Sequence, residues 1–175
     1  QLGIPPLFTA ESRQSSDWND WYGNLGVTPP IRSGAGEEYP FGRIIAGRQG
    51  ANTLHPTVHN QLISEKLQWP PLYLPTDWLR IGHADEVVSF IPSPEKPGFR
   101  TLIASPARTR DLASKAVFED QFDSTADRER ARELVSAHIA PANLRAVAAL
   151  SYTVALLCRE LGISWENFIR VPMQV

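Results

Sequence analysis

The sequence predicts a mixed α/β fold. Short runs of β-branched and aromatic residues at 42–47, 72–74, 87–91 and 99–104 are bounded by glycine and proline, as buried strands are. Stretches at 56–67, 111–122, 127–139 and 144–161 repeat their apolar residues at helical spacing. The 15 prolines gather at the junctions, which argues for short elements joined by fixed turns and against disorder.

Residues 1–38 read mostly as loop. Ser15, Ser16, Asp17, Asn19, Asp20, Gly23, Asn24 and Gly26 are turn formers, with Trp18, Trp21 and Tyr22 between them. Asp17 and Asp20 with nearby carbonyls suit a hard cation, and a solvated turn accounts for them more simply. Residues 42–47 make a short buried strand. Residues 56–67 make a helix with Pro56 in its first turn and Val58, Leu62 and Ile63 inward. His55 and His59 lie four apart like a zinc pair, but Pro56 stands where the His-Glu-x-x-His pattern has its general base, so no metal is expected there. Residues 72–74 form a second strand. The strand at 87–91 pairs with 99–104 as a hairpin across Ser93-Pro94-Glu95-Lys96-Pro97-Gly98.

The remainder is helical. The charges of 127–132 are a solvated face. Pro141 breaks the pattern, and Asn143 then caps a helix over 144–161 that ends at Gly162. Val147, Leu150, Val154, Leu157 and Leu161 are its core stripe. Cys158 falls in that helix and reads as a small core residue, not a nucleophile. Ile169 and Val171 before Pro172 start a last strand that the chain barely contains.

A hydrophobic share of 42% and a charged share of 21% describe an ordinary soluble globular protein. Net charge −2 and pI ≈ 6.1 give no basic field for nucleic acid or an anionic membrane. No apolar run approaches the ~20 residues of a membrane helix, and no signal peptide is visible. A single cysteine excludes an internal disulfide framework and a cysteine-rich metal site. The chain opens on Gln1, a processed or excised start, and the expected location is cytoplasmic.

The candidate chemistry lies in residues 76–92. His83, three carboxylates (Asp77, Asp85, Glu86) and Trp78 interrupt what otherwise reads as a buried strand. Gly82 lets the backbone bend before His83. With the chain extended from His83 to Asp85, both side chains share one face. The imidazole carries protons near neutral pH, and the carboxylate orients it or grips a cation. A lone His-x-Asp is often an ordinary surface pair, but charged residues inside apolar flanks favour a functional one.

Tyr39-Pro40-Phe41-Gly42-Arg43-Ile44-Ile45-Ala46-Gly47, then Asp77-Trp78-Leu79-x-Ile81-Gly82-His83-x-Asp85-Glu86, then Ser89-Phe90-Ile91-Pro92 together resemble the protein-arginine deiminases. Tyr22-Gly23-Asn24-Leu25 with Pro29-Pro30, Gly98-Phe99-Arg100 through Ala104-Ser105-Pro106, and Arg159-Glu160-Leu161-Gly162-Ile163 keep the same order. The likeness runs from about residue 17 to 106 and resumes near 150. It implies an internal portion of a catalytic domain. Residues 1–38 would be a loop-rich lead-in, 39–106 a strand-rich core with the GHxDE motif, and 107–175 mainly helical. That domain is a pentein-type α/β propeller of five ββαβ modules around a central site, of which about two would lie here.

The resemblance also implies hydrolysis of a C–N (amidine) bond, turning peptidyl-arginine into peptidyl-citrulline and ammonia. Carboxylates hold the planar guanidinium, a thiolate attacks its carbon, and an acid/base serves ammonia and then water. By match, Asp85 is a guanidinium clamp and His83 the acid/base. Ile81 lines the channel for the methylene stem, Gly23 lies near the substrate backbone, and Glu86 has no catalytic role. A second clamping Asp is expected upstream of Gln1. The nucleophilic Cys is expected beyond Val175, because its His-Cys-Gly context is absent and Cys158 matches a helix position. A second polypeptide carrying the rest of the domain is therefore an expected partner, beside an arginine-containing substrate. In calcium-dependent members the matching loop supplies two carbonyls, at Tyr22 and Leu25, and a Glu whose position is Gly26 here; that loss counts against a calcium site. The alternative is a non-catalytic propeller fragment that binds arginine-containing peptides or a partner chain. A weaker third reading is a metal-dependent hydrolase using His83, Asp85 and His55.

A two-module slice leaves strand edges unpaired and an apolar face open. These 175 residues alone are therefore expected not to fold stably. A monomeric preparation of them that melts cooperatively would overturn this.

Overall fold

Two strand–strand–helix–strand units build the fold. The computed structural model describes residues 21–51, 53–65, 68, 70–137 and 140–173. In the first unit β1 (Leu25–Val27) lies antiparallel to β4 (Ile44–Arg48), with Leu25 opposite Ala46. A small hairpin of β2 (Ile31–Arg32) and β3 (Glu38–Tyr39) fills the connection. Helix α1 (Pro56–Glu65) then crosses, and β5 (Leu72–Pro75) returns parallel to β4. In the second unit β6 (Val88–Pro92) and β7 (Phe99–Ser105) are antiparallel, with Val88 opposite Ile103. Helices α2 (Pro106–Glu119), α3 (Thr125–Ala137) and α4 (Pro141–Leu161) follow, and β8 (Phe168–Pro172) returns parallel to β7.

The mixed α/β class stands as expected. No closed barrel or propeller forms among the described residues: the two main sheets stay open, in orders β1-β4-β5 and β6-β7-β8. One core joins them. Ile45, Leu72 and Leu74 of the first unit meet Val88, Phe99 and Ile103 of the second, and Leu150, Leu157 and Leu161 of α4 close over both. Along β7 burial alternates with period two, Phe99, Thr101, Ile103 and Ser105 pointing inward, as a strand with a helix on one face requires.

Several boundaries differ from expectation for local reasons. Pro141 starts α4 instead of breaking it, since a missing N–H costs nothing in a first turn. Ala140 is the N-cap; Asn143, expected there, lies buried inside the helix and donates from Nδ2 to the Ala137 carbonyl at 2.7 Å. Leu150, Leu157 and Leu161 are buried as expected, Val147 and Val154 only half so, and Ala146 and Thr153 complete the stripe. Gly162 ends the helix at φ 64°. With 21 residues and a mean hydropathy of 1.3 in its best window, α4 is long and apolar enough by length and composition to cross a membrane, which corrects the run-length reading above. Core helices pass the same test, and α4 packs on the sheet.

Helix α2 starts at Pro106, not 111, because Ser105 Oγ accepts the Arg108 N–H at 3.2 Å and Pro106 is preset for a first turn. Helix α3 starts at Thr125, where Ser124 Oγ accepts the Asp127 N–H at 3.1 Å. β1, β2 and the first residue of β3 lie inside the 1–38 stretch expected to be loop. β8 is a full strand of five residues, paired with β7 along its length. Residues 66, 67, 138 and 139, expected to end α1 and α3, lie outside the described residues.

A partly buried ion pair ties the first unit to α4. Arg43, 6% exposed, donates from Nη1 to Glu160 Oε2 at 2.9 Å and from Nε to the Pro70 carbonyl at 2.6 Å. Its guanidinium lies 5.4 Å from the centre of the Tyr39 ring. The hydrogen bond from Arg43 holds the Glu160 carboxyl below its ordinary range, with partial burial opposing. A folded-state pKa below the unfolded one stabilises the fold above the ordinary carboxylate value of 4.5 and is lost as pH falls through the folded value. Glu160→Ala is expected to cost the intact protein about 3 kcal/mol at neutral pH, by leaving a buried guanidinium without its carboxylate. The variant should also lose less stability than wild type on acidification below pH 4.5. Denaturant titrations at several pH values read both effects, and equal acid slopes would contradict the assignment.

Candidate active site

The site forms where two single turns of 3₁₀ helix meet. Tyr22–Asn24 winds one turn into β1, and Ala84–Glu86 winds another just before β6. His83 heads the second turn in extended backbone (φ −87°, ψ 150°), and its N–H donates to Glu86 Oε1 at 2.9 Å. This corrects the expectation that 83–85 is extended: the strand begins only at Val88, and a turn, not a pleat, aims the two side chains.

They converge all the same. A Cβ placed on Gly23 would lie 2.7 Å from His83 Nδ1, 2.7 Å from Asp85 Oδ2 and 3.0 Å from Asp85 Oδ1. Imidazole and carboxylate thus face one gap above the Gly23 backbone, and only glycine leaves it open. His83 is 7% exposed, whereas Asp85 is open to solvent. Trp21 lays its indole edge-to-face on the imidazole, centroids 6.1 Å apart and planes at 61°. Tyr22, Gly23, Leu25 and Asp85 line one cleft of about 270 Å³ with Ala84 and Phe90. Ile81 is at the surface, 36% exposed, and Gly82 turns the chain between it and His83 at φ +84°.

Two fully buried polar residues that the sequence did not single out for the site hold this geometry. Asn24 Oδ1 accepts the Gly47 N–H at 2.5 Å and the Ala84 N–H at 3.1 Å, while its Nδ2 donates to the Gly47 carbonyl at 3.2 Å. Thr76 Oγ1 donates to the Gly82 carbonyl at 2.7 Å. The only signal was Asn24 between Gly23 and Leu25, a place where turn chemistry and buried bonding look alike.

Metal chemistry finds little support in these residues. At the loop matched to a calcium site the Tyr22 carbonyl already accepts the Leu25 N–H. A Cβ at Gly26 would come within 2.9 Å of Ile45 Cγ1 in the core, so a Glu has no room there unless Ile45 moves. A calcium ion asks for roughly six to eight oxygens, carboxylates among them. Gly26 brings no carboxylate to this loop. No group of three His, Cys, Asp or Glu able to hold a metal occurs among the described residues, which removes the constellation of His83, Asp85 and His55. His55 Nδ1 accepts the Thr57 N–H at 3.3 Å, and His59 Nδ1 bonds the Tyr73 hydroxyl at 3.1 Å. Asp17, Trp18 and Asp20 lie outside the described residues. Cys158 is half-buried in α4, and burial pushes its thiol up, away from the thiolate a nucleophile needs.

Residues 7–174 match the family model described as Protein-arginine deiminase (PAD). The chain is 34% identical to protein-arginine deiminase type-1 of Homo sapiens, over 87% of this chain and 25% of that protein. It is 30% identical to type-4 of Homo sapiens, over 87% of this chain and 25% of that protein. Identity to type-3 of Mus musculus is 34%, over 94% of this chain and 27% of that protein. The chain spans about a quarter of the length of the curated relatives it matches.

Gly23→Ala is expected to push His83 and Asp85 apart and to move the imidazole off the Trp21 indole, read in the intact protein as a weakened indole–imidazole nuclear Overhauser effect. An unchanged signal in that variant would contradict the close approach of these groups to the Gly23 backbone.

Proposed function

The chain belongs to the protein-arginine deiminase family, and from that premise we propose that it supplies the acid/base and one clamping carboxylate for the hydrolysis of peptidyl-arginine to peptidyl-citrulline and ammonia. The observation that carries this is the convergence of His83 Nδ1 and both Asp85 oxygens on the gap above Gly23.

Asp85 accepts hydrogen bonds from the planar guanidinium, whose paired N–H groups match a carboxylate. Ile81 walls the path of the methylene stem. A thiolate attacks the guanidinium carbon, and the C=N electron pair moves onto nitrogen. His83 gives that adduct a proton, the C–N bond breaks, and ammonia leaves. The neutral imidazole then takes a proton from water as the water oxygen bonds to the same carbon. The C–S bond breaks, the new hydroxyl gives its remaining proton to the departed ammonia or to water, thiolate is regenerated, and neutral citrulline is released. The raised Cys158 thiol argues against that residue as the nucleophile. We therefore assign the thiolate and a second carboxylate to other parts of the catalytic domain, on a second polypeptide or elsewhere in a longer protein. There these two strand–strand–helix–strand units would be two of five around a propeller. The substrate class is arginine-containing protein or peptide.

His83→Ala in the intact protein is expected to lower citrulline release from an arginine peptide by about a hundred- to ten-thousandfold, the range for a lost general acid/base. Asp85→Asn is expected to raise KM as well as lower kcat, because it weakens the hold on the cation. Citrulline and ammonia assays check both, alongside the intact mass of every polypeptide in the sample. Full turnover by His83→Ala overturns the assignment. An intact protein that binds arginine peptides without turning them over would leave a binding role in its place.

A further inference from the structure

We propose that Asn24 is the positioning residue that holds His83 and Asp85 over Gly23; this rests on His83 and Asp85 being the reacting groups. The Asn24 carboxamide joins three segments that are distant in sequence. Its backbone follows Gly23 directly. Two of its hydrogen bonds close a ring with both backbone groups of Gly47 near the end of β4. The third accepts from Ala84 N–H, the peptide group next after His83. Thr76, also fully buried, holds the carbonyl of Gly82, the residue before His83. The backbone on both sides of His83 is therefore pinned by buried side chains, and one of these also pins the turn that presents Gly23.

A shorter or apolar residue at 24 would leave Gly47 and Ala84 to find other partners. The turn carrying Gly23 and the turn carrying His83 would then lose their common tether. The Asn24 bonds to Gly47 and Ala84 go to backbone groups, not to the imidazole of His83 or the carboxylate of Asp85. The effect of Asn24 on chemistry would come entirely through where it holds its neighbours, so a loss of kcat with little change in KM is the expected signature. Trp21 provides a readout that does not depend on turnover, because its indole sits edge-to-face on His83 and an imidazole–indole nuclear Overhauser effect reports their relative position.

The experiment compares Asn24→Ala and Asn24→Asp with wild type in the intact protein. Asn24→Ala is expected to lower kcat at least tenfold, to leave KM within about threefold, and to weaken the Trp21–His83 signal while other tertiary signals persist. Asn24→Asp keeps an accepting oxygen but sets a second, charged acceptor against the buried Gly47 carbonyl, so it is expected to weaken the Trp21–His83 signal and lower kcat as the alanine variant does. In wild type the Ala84 amide is expected to exchange slowly with solvent, a measurement that needs no variant to fold. Wild-type kcat in Asn24→Ala, an unchanged Trp21–His83 signal, or rapid Ala84 exchange would each overturn the proposal. If the intact protein proves inactive, the family-based function fails, and the Overhauser and exchange data still decide whether Asn24 positions His83.

Discussion

A strand that returns parallel to its neighbour must first cross one face of the sheet. Both parallel returns here, β4 to β5 and β7 to β8, obey that constraint, and much of the architecture follows from it. β4 and β7 become central strands, each flanked by one antiparallel and one parallel partner. Burial follows: Ile44, Ile45, Ala46 and Gly47 are all inside, as is every second residue of β7. The longer crossing carries α4, whose leucines supply the core for both units. Antiparallel partners fix the rest. Leu25 at the head of β1 lies opposite Ala46 near the end of β4, and Val88 at the head of β6 lies opposite Ile103 near the end of β7. The turns preceding β1 and β6 therefore sit at the carboxyl ends of the two central strands, where open α/β sheets gather their ligands. Gly23, His83 and Asp85 belong to those two turns.

Bringing two turns together buries backbone groups that no sheet ladder satisfies. Asn24 and Thr76 satisfy several of them from fully buried positions, exchanging desolvated side chains for bonds to Gly47, Ala84 and Gly82. Such an exchange holds only while each partner stays paired, since an unmade bond in the interior costs more than a made one contributes. The Arg43–Glu160 pair follows the same logic at the C-terminal end of α4. It is further secured by the Pro70 carbonyl and the Tyr39 ring, and removing Glu160 would leave the Arg43 guanidinium without its carboxylate.

What was legible in the sequence was whatever repeats. The stripe on α4, the β6–β7 hairpin with its Ser93–Gly98 turn, and the glycine-bounded strand at 44–48 all carry a period or a turn signature over enough residues to read. Strands of two or three residues carry no period, so β1, β2 and the first residue of β3 passed for loop. The start of α2 was lost for another reason: Ser105 ends a strand and caps a helix at once, and strand pattern masked the cap. At the site, His83 and Asp85 were read as strand neighbours on one face. They do meet, but the 3₁₀ turn brings them together, so period-two arithmetic reached the right proximity by the wrong geometry. The Asn24 bonds span 23 and 60 residues, and no local pattern encodes partners that far apart.

His83 and Asp85 share one gap but not one solvent environment, and the tasks proposed for them differ in the same way. A carboxylate and a cation 4 Å apart attract by about 1 kcal/mol in water and about 4 kcal/mol at the effective dielectric of a protein surface pair. Asp85, open to water, would therefore hold a guanidinium weakly until the arginine stem and the surrounding chain displace that water. The exposed apolar side chains of Tyr22, Leu25 and Ile81 nearby are the kind of surface that such covering would bury. A proton carrier has the opposite need. Buried against Trp21 with its flanking peptides pinned, His83 is held in one place. On the proposed function, a sheltered imidazole beside a solvated carboxylate would gain its full electrostatic strength only when a bound arginine and the chain covering it displace the water around Asp85.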